Sequence, residues 1–340
     1  MVQGAKPKVL ITGINGQDGA YLAQKLLSDG ISVSGTVRHV DADLWRLKQL
    51  GIVDQVSLSP MSFVKPNEAD SVLHHCRPDW IVNLAAISSL GESEADAALT
   101  QQINFEGPRH LFRQFFRNNP QGRVFQASSA LVFGYPDEQP QTELTRRQPD
   151  THYGRAKNDL DAEILSLRNS GFFAVSGIFY NHESPLRGAN FVSTKIVDGL
   201  VRLKKGEGEA LKLGNLEDIR DWSHARDFAD GIMLSMSADT SQDWVFASGH
   251  PHKVWDWIQI ASRILGFDPK ISTQEEAVEV VCGRTGVVLA TGRKQTISET
   301  VAAHRVGCPD KLKQQLKWEP QYDFEALVED MVHNAIRRFG

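Results

Sequence analysis

The feature that most constrains this chain is a set of three glycines between an apolar strand and a helix. Gly13, Gly16 and Gly19 form the pattern G-x-x-G-x-x-G directly after a predicted strand at Lys8–Thr12. Such glycines let bare backbone approach a pyrophosphate, and the N-terminus of the next helix offers N–H groups and a positive dipole end. The pattern predicts a dinucleotide-binding βαβ unit; the alternative is a tight turn that only allows close helix packing.

The same alternation of strand and helix continues through the first half of the chain. Short, almost continuously apolar strands separated by helical segments are typical of a parallel sheet covered on both faces. The predicted strands are Lys8–Thr12, Ile31–Val37, Val56–Leu58, Trp80–Leu84, Arg123–Ala127, Phe172–Phe179 and Trp244–Ala247. The predicted helices are Tyr21–Ser28, Trp45–Leu50, Ser71–Cys76, Ile103–Asn118 and Tyr153–Arg168.

This alternation is lost after about residue 181, where helices, loops and short strands mix. We therefore predict an α/β fold: a Rossmann-type doubly wound parallel sheet with a smaller mixed α/β C-terminal substrate lobe. Residues 1–180 with about 222–250 form the predicted dinucleotide-binding domain. Residues 181–221 and 251–340 form the predicted substrate lobe.

Composition and charge exclude several classes of protein. With 41% hydrophobic and 23% charged residues the chain can bury a core, and a net charge of −5 lacks the basic footprint of a nucleic-acid binder. The three cysteines, Cys76, Cys282 and Cys308, lie far apart, which suits a reducing cytoplasm and argues against a structural metal site. We expect a cytoplasmic protein with no secretory signal, no membrane span and no bound metal.

The end of the second strand bears on which dinucleotide binds. An NAD enzyme usually carries an acidic residue there to accept from the ribose hydroxyls, but this strand ends in Val37-Arg38-His39. Arg38 cannot accept a hydrogen bond but can pair with a 2′-phosphate, which favours NADP, with NAD as the alternative. The alternative reading of Arg38 is a solvated surface residue.

A serine, a tyrosine and a lysine have the spacing of a hydride-transfer site. Tyr153 and Lys157 form Y-x-x-x-K on one helix face, and Ser129 closes a strand about 24 residues earlier. A nearby ammonium favours the phenolate of Tyr153, which can then exchange a proton with a substrate hydroxyl while hydride moves to or from the cofactor. The serine hydroxyl would hold the same oxygen. The alternative is an amphipathic helix with a surface lysine.

Together these motifs resemble the extended short-chain dehydrogenase/reductase (NAD-dependent epimerase/dehydratase) family, and within it the GDP-mannose 4,6-dehydratases. The matching stretches span nearly the whole chain. They are ITGINGQDG (11–19), WRLKQLGI (45–52), NLAA (83–86), QAS (126–128), GIFYNHESPLRG (177–188), Lys195-Ile196, LGNLEDIRDWSHARD (213–227) and LKWEP (316–320).

The resemblance implies a Rossmann core, an NADP cofactor, a nucleotide-diphosphate sugar, GDP-linked by preference, and a homo-oligomer, dimer or tetramer. The implied cofactor-binding residues are Gly13, Asn15, Gly16, Gln17, Asp18, Gly19, Arg38, Leu84, Ala85, Ala86, Tyr153 and Lys157. The implied substrate-binding residues are Ser88, Asn181, Lys195 and Arg220. For the last three the alternatives are a turn-forming asparagine, a solvated lysine and an arginine paired with a neighbouring aspartate.

One departure from the dehydratase pattern bears directly on the reaction. The pattern reads S-T-S-E-L-Y-G after the strand, and its glutamate handles the proton at C5 and the leaving hydroxyl at C6. Here the run is SSALVFG (128–134), and Leu131 stands at the glutamate position. A leucine cannot transfer a proton, so elimination loses its acid or base. The run is instead similar to the S-S-A-T-V-Y-G of sugar 4-epimerases and 4-ketoreductases. Candidate substitutes for the lost acid are Glu92, Glu94 and Glu183, none of which lies at the motif position.

Further departures fall on the nucleotide side. Ser62 stands where the pattern has an aspartate at the cofactor adenine, and Thr194 stands at an arginine position. Ser298 and Val301 fall at the arginine and glutamate that contact guanine in the pattern. Both guanine contacts are therefore lost unless Arg293 or Arg305 replaces them.

Three functions remain open from the sequence. The first is a 4-ketoreductase, 4-dehydrogenase or 4-epimerase acting on a nucleotide-linked sugar through Ser129, Tyr153 and Lys157. The second is a true GDP-mannose 4,6-dehydratase with a displaced acid. The third is a non-catalytic NADP(H)-binding protein, although such proteins usually lose the tyrosine or the lysine.

Overall fold

The computed structural model describes residues 6–273, 277–293 and 305–340. These residues divide into two compact units. The first takes in the described residues of Met1–Phe179, with Phe228–Phe246 and Cys308–Glu319. The second takes in those of Tyr180–Asp227, Ala247–Gly307 and Pro320–Gly340.

The first unit is built on one seven-stranded sheet in which, among the described residues, every neighbouring pair is parallel. From edge to edge the strands are Asp243–Phe246, Phe173–Phe179, Arg123–Ala127, Trp80–Asn83, Lys8–Thr12, Ser32–Val37 and Ser57–Pro60. The direction of winding reverses between Lys8–Thr12 and Trp80–Asn83, which makes this the topological switch point where doubly wound sheets bind ligands. The expected Rossmann-type fold is confirmed.

Helices of the first unit flank this sheet. The α-helices are Gln17–Ser28, Trp45–Gln49, Pro66–Cys76, Leu90–Ala95, Ala97–Gln101, Gly107–Asn118, His152–Asn169, most of Ala225–Ser237, and Asp310–Leu316. Short 3₁₀ turns lie at Val53–Gln55 and Ala130–Phe133, and a π-helical turn lies at Gln102–Glu106.

A hydrophobic cluster joins the central strands to two of these helices. Leu10, Ile81 and Val124 come from three neighbouring strands, and Phe112 and Leu160 come from the helices that cover them. All five side chains are buried, and each such burial contributes about 1.5–3 kcal/mol. The packing holds the helix that carries the predicted tyrosine and lysine firmly against the sheet.

Among its described residues, the second unit has two small sheets and three helices. The three-stranded sheet has the order Pro251–Lys253, Ile219–His224, Asn181–Glu183, and the four-stranded sheet has the order Pro269–Thr273, Ala277–Cys282, Val288–Arg293, Leu211–Asn215. The helices are Val192–Lys204, Val254–Ile264 and Phe324–Phe339. Their core centres on the rings of Trp222, Trp257 and Phe324, which pack within 6 Å of one another.

The compact units differ from the expected domain ranges in three segments. Residues 222–227, expected in the first domain, belong with the second unit, where the ring of Trp222 packs against Trp257. Residues 308–319 belong with the first unit, because the buried ring of Trp318 packs against Phe246 and Lys311 Nζ donates to the Asp243 carbonyl at 2.8 Å. Residues 247–250 belong with the second unit, because the N–H groups of Ser248 and Gly249 donate to the buried Asp221 carboxylate.

Two features are absent from the described residues. No helix among them is both long enough and apolar enough to cross a membrane. Within the same residues, no group of three or more His, Cys, Asp or Glu side chains is arranged to hold a metal ion.

Candidate active site

The glycine turn at the end of strand Lys8–Thr12 leaves no room for side chains. Gly13 has φ +71°, and a Cβ there would lie 2.9 Å from the Cα of Ala85. A Cβ on Gly19 would lie 2.6 Å from the carbonyl oxygen of Gly13. Gly16 occupies the N-cap position of helix Gln17–Ser28 and supplies no side-chain cap to its first turn. The turn therefore has the bare backbone and helix N-terminus that a pyrophosphate requires.

The neighbouring segments support this turn from two sides. The close approach of Gly13 to Ala85 brings the turn against the segment 84–86, which follows the strand on the other side of the switch point. Arg46 Nη1 donates to the Asn15 carbonyl at 3.0 Å, and Asn15 Nδ2 donates to the Asp43 carbonyl. The residues present thus fit a dinucleotide, and Arg46 is a cation beside the turn that the sequence analysis does not identify.

Arg38 lies directly after strand Ser32–Val37, which is the neighbour of Lys8–Thr12 in the sheet. Its side chain is exposed. This is the position at which the ribose of a bound dinucleotide is read in Rossmann folds, and it carries no acidic residue here.

Tyr153 and Lys157 lie in the first two turns of helix His152–Asn169. Thr151 caps this helix, because its hydroxyl accepts a hydrogen bond from the N–H of Gly154 at 3.0 Å. Lys157 Nζ lies 5.7 Å from the ring centroid of Tyr153. The structure therefore places the ammonium next to the phenol, as the spacing predicts.

Lys157 is almost completely buried, with 2% of its surface exposed. Its ammonium donates to the backbone carbonyl of Ala127 at 2.7 Å. Burial lowers the pKa of Lys157 to about 8, and the negative charge of Asp161 opposes that shift. The lysine is therefore charged at neutral pH and close to its titration range.

Ser129 and Leu131 lie beside this helix. Ser129 caps the 3₁₀ turn Ala130–Phe133, since its Oγ accepts from the N–H of Leu131 at 3.3 Å. The carbonyl oxygen of Leu131 is 2.6 Å from the point where a Cβ on Gly154 would stand. The backbone of Leu131 thus lies against Gly154, the residue that follows Tyr153.

The three glutamates considered as replacements occupy different surroundings. Glu183 is buried. Its carboxylate accepts a hydrogen bond from Ser193 Oγ at 2.6 Å and forms an ion pair with Arg187. Glu92 is exposed. Glu94 accepts a hydrogen bond of 2.7 Å from the backbone N–H of His152, the residue before Tyr153. Glu94 thus contacts the helix that carries Tyr153 and Lys157.

Ser88 follows the switch-point segment and is exposed. The structure adds Asn104 to this region: its side chain pairs with both the N–H and the carbonyl of Ile87, at 2.8 and 3.0 Å. Asn104 lies in the π-helical turn Gln102–Glu106, a distortion that often marks functional sites. A buried asparagine inside a helix is the only sequence signal for this contact.

The proposed nucleotide-binding residues lie in the second unit. Asn181 pairs in register with Trp222, two residues after Arg220 on the neighbouring strand. The hydrogen bond from Ser193 to Glu183 anchors the start of helix Val192–Lys204, whose first turns carry the exposed Lys195. Arg220 Nη2 lies 3.6 Å from Asp218 Oδ2, and both side chains are partly exposed.

The structure describes two of the four residues that depart from the dehydratase pattern on the nucleotide side. Ser62 donates its backbone N–H to Glu68, and Thr194 is buried in helix Val192–Lys204. Ser298 and Val301 lie outside the described residues.

The family model of GDP-mannose 4,6 dehydratase matches residues 10–331 of this chain. The chain belongs to this family. The human GDP-mannose 4,6 dehydratase is 33% identical, over 96% of this chain and 91% of that protein. The family and its relatives identify the chain as an NAD(P)-dependent nucleotide-sugar enzyme, which confirms the expected class.

Solved structures confirm the fold. A UDP-glucose 4-epimerase from Thermotoga maritima, with UDP-glucose, superposes with a TM-score of 0.81 at 17% identity, covering 98% of this chain and all of that one. RMD from Pseudomonas aeruginosa, complexed with NADPH, superposes with a TM-score of 0.76 at 18% identity, again over 98% and 100% of the two chains.

Proposed function

We propose that this enzyme transfers hydride at C4 of a nucleotide-linked sugar, as a 4-ketoreductase, 4-dehydrogenase or 4-epimerase, with NADP as its cofactor. The observation that carries the proposal is Leu131. It occupies the acid position of the dehydratase motif beside Gly154, while Tyr153 and Lys157 remain. Without a proton-transferring group there, elimination across C5 and C6 has no acid or base, but exchange at C4 needs none beyond the tyrosine.

In this proposal, residues of the first unit transfer the proton, orient the C4 oxygen and hold the cofactor. Tyr153 moves the proton at the C4 oxygen, and its phenolate is favoured by the adjacent Lys157 ammonium. Ser129 donates its hydroxyl to the same oxygen and orients it. When bound, the nicotinamide cofactor supplies or accepts the hydride. The glycine turn and the segment 84–86 would hold its pyrophosphate, and Arg38 its 2′-phosphate.

The residues of the second unit support a diphosphate ligand. Lys195 and Arg220 are cations suited to phosphate oxygens, and Arg220 keeps exposed surface next to Asp218. Asn181 follows directly after the strand Phe173–Phe179, where open α/β sheets bind ligands. The relatedness to enzymes named for GDP-mannose favours a GDP-linked sugar.

The test uses a panel of nucleotide sugars. The full chain is incubated with NADPH and GDP-, UDP- or dTDP-linked 4-keto-6-deoxyhexoses, and with NADP and the parent nucleotide hexoses. We expect a change in nicotinamide absorbance, or inversion at C4 by NMR, with at least one substrate. Lys195→Met and Arg220→Met should each raise KM about 10-fold or more with kcat less affected, since one lost charge-assisted contact is worth about 1.5–3 kcal/mol. No reaction across the panel contradicts the proposal.

Glu94 favours a second candidate, a GDP-mannose 4,6-dehydratase with a displaced acid. Its carboxylate bonds to the backbone N–H of His152 and so lies at the start of the catalytic helix. A dehydratase would convert GDP-mannose to a 4-keto-6-deoxy product and take up deuterium at C5 from heavy water. Glu94→Gln would then stop dehydration while the matched Glu92→Gln variant would not. Absence of product in the parent enzyme excludes this candidate.

A further inference from the structure

Asp161 lies one helical turn after Lys157 and is buried with three donors around its carboxylate. Ser128 Oγ donates to Oδ2 at 2.5 Å, and Arg147 Nη1 donates to the same oxygen at 2.8 Å. Ser176 Oγ donates to Oδ1 at 2.6 Å. Because all three partners donate, the ionised carboxylate is the form that every one of these hydrogen bonds fits.

Asp161 lies at the buried end of a row of alternating negative and positive side chains. Arg147 joins Asp161 to Asp243, which accepts from Arg147 Nη2 at 2.9 Å and from Arg168 Nη2 at 2.6 Å. Burial raises the pKa of Asp161 and Asp243 adds to that, whereas Arg147, Ser128 and Ser176 lower it. The arginine and the two serines thus hold a negative charge in a place where burial alone would neutralise it.

Asp161 also links the two parts of the proposed catalytic set, through its hydrogen bond to Ser128 and its position one helical turn after Lys157. Ser128 directly precedes Ser129, and its backbone N–H bonds to Gly177. Asp161 therefore fixes the strand end that carries Ser129 to the helix that carries Lys157. Asp161 is the one charged group that contributes to the pKa of Lys157 among the described residues.

Three further polar contacts of this helix lie apart from that row. Glu94 bonds to the N–H of His152, Gln101 donates to Asp159 at 3.0 Å, and Arg113 pairs with Glu163 at 2.7 Å. These contacts lie on partly or fully exposed parts of the helix, where water screens charge.

We propose that Asp161 is a positioning residue for hydride transfer: held by Arg147, Ser128 and Ser176, it keeps Lys157 an ammonium next to Tyr153 and ties the Ser129 strand end to the same helix. The inference rests on the proposed roles of Tyr153 and Lys157. Its consequence is that loss of the charge at residue 161 makes Lys157 release its proton at lower pH, although Asp161 touches neither substrate nor cofactor in the proposed reaction.

The test follows Lys157 itself, so that it does not depend on turnover. The full chain is labelled with ¹³C at lysine Cε, and the Lys157 signal is assigned as the one absent from Lys157→Arg. In Asp161→Asn we expect this signal to titrate about one pH unit below the parent, the lower end of the effect of one neighbouring opposite charge. Ser176→Ala, which removes a hydrogen bond to the same carboxylate but no charge, should titrate with the parent.

Two additions keep the test decisive. If Asp161→Asn does not fold, the double variant Arg147→Gln/Asp161→Asn removes both members of the buried pair and should also lower the Lys157 midpoint, by less than Asp161→Asn because the repelling cation at 147 is lost as well. With an active substrate, the alkaline limb of kcat/KM should move with the NMR midpoint. An unchanged midpoint in a folded variant lacking Asp161, or an equal shift in Ser176→Ala, overturns the proposal; an inactive parent with the expected shift overturns only the assigned reaction.

Discussion

Lys157 Nζ donates a 2.7 Å hydrogen bond to the backbone carbonyl of Ala127, the last residue of its strand. The same carbonyl accepts from Gln126 Nε2, and Gln126 Oε1 accepts from Asn83 Nδ2 at 2.6 Å. Asn83 in turn accepts from the hydroxyl of Thr12, which precedes the glycine turn. A buried polar chain thus connects the end of the first strand to the ammonium beside Tyr153.

The position of Lys157 predicts an alkaline limit on activity. Burial lowers the pKa of Lys157 to about 8, so the ammonium that favours the Tyr153 phenolate is present below that pH and lost above it. We expect kcat/KM to fall about tenfold per pH unit above pH 8. Lys157→Arg keeps a cation at every accessible pH and should remove this limb; a limb that persists in that variant contradicts the assignment.

Tyr153→Phe tests the proton-transfer role. Loss of the phenol oxygen should lower kcat by about 10²–10⁴, the usual contribution of a positioned acid or base. The rise in melting temperature on adding NADP should remain, because the glycine turn is intact. Tyr135→Phe is the matched control, since Tyr135 is 59% exposed and outside the proposed site. Equal kinetics in the two variants would refute the role of Tyr153.

Gly13→Ala tests the cofactor turn. Both Gly13 and Gly51 have positive φ, +71° and +68°, so an alanine at either costs about 1–2 kcal/mol. A Cβ at Gly13 also meets Ala85, whereas at Gly51 it meets no atom of the described residues within 4 Å. We expect Gly51→Ala to keep the stabilisation by NADP in thermal unfolding and Gly13→Ala to lose it. Retention in Gly13→Ala would show that the cofactor binds elsewhere.

Arg38→Met tests the choice of dinucleotide. If Arg38 pairs with the 2′-phosphate, its loss should weaken NADP binding about 10- to 100-fold, the value of one charge-assisted contact. Affinity for NAD, which lacks that phosphate, is the internal control and should stay unchanged. Calorimetric titration of both dinucleotides measures the two effects. An equal loss for NAD and NADP would assign Arg38 a structural role.

Leu131→Glu tests the residue that decides between dehydration and hydride transfer at C4 alone. Aligned with the dehydratase pattern, position 131 is the glutamate position, and its backbone carbonyl lies beside Gly154. We expect this variant to form detectable 4-keto-6-deoxy product from GDP-mannose, measured by mass spectrometry, while the parent and Leu131→Gln form none. Dehydration by the parent would shift the assignment to Glu94.

The sequence predicts the sheet well because its signals are local. Strands such as Lys8–Thr12 and Arg123–Ala127 are short apolar runs bounded by glycine or polar residues, and the structure has them at the predicted bounds. Helix Pro66–Cys76 begins five residues before its predicted start, because Pro66 opens the first turn where the apolar periodicity is not yet visible. The small helices Leu90–Ala95 and Ala97–Gln101 are not predicted, since each depends on one cap, Ser89 or Asp96.

Sequence motifs predict only part of the proposed site. The glycine turn, Tyr153 and Lys157 follow from spacing, whereas the roles of Arg46 and Asp161 depend on contacts far along the chain. Asp161, on a helix, accepts a hydrogen bond from Ser176 of the following strand, and Arg46 donates to the carbonyl of Asn15, 31 residues earlier. No periodicity or spacing encodes such pairs. For the same reason residues 308–319 were expected in the substrate lobe but pack with the first unit.

The most direct test of hydride transfer at C4 uses NADPH deuterated at the transferable position. The enzyme is incubated with a GDP-linked 4-keto-6-deoxyhexose, and in parallel with GDP-mannose in heavy water. The proposed function predicts deuterium at C4 of the reduced sugar and no loss of the C6 hydroxyl from GDP-mannose. Absence of label at C4 together with a 4-keto-6-deoxy product labelled at C5 would contradict it.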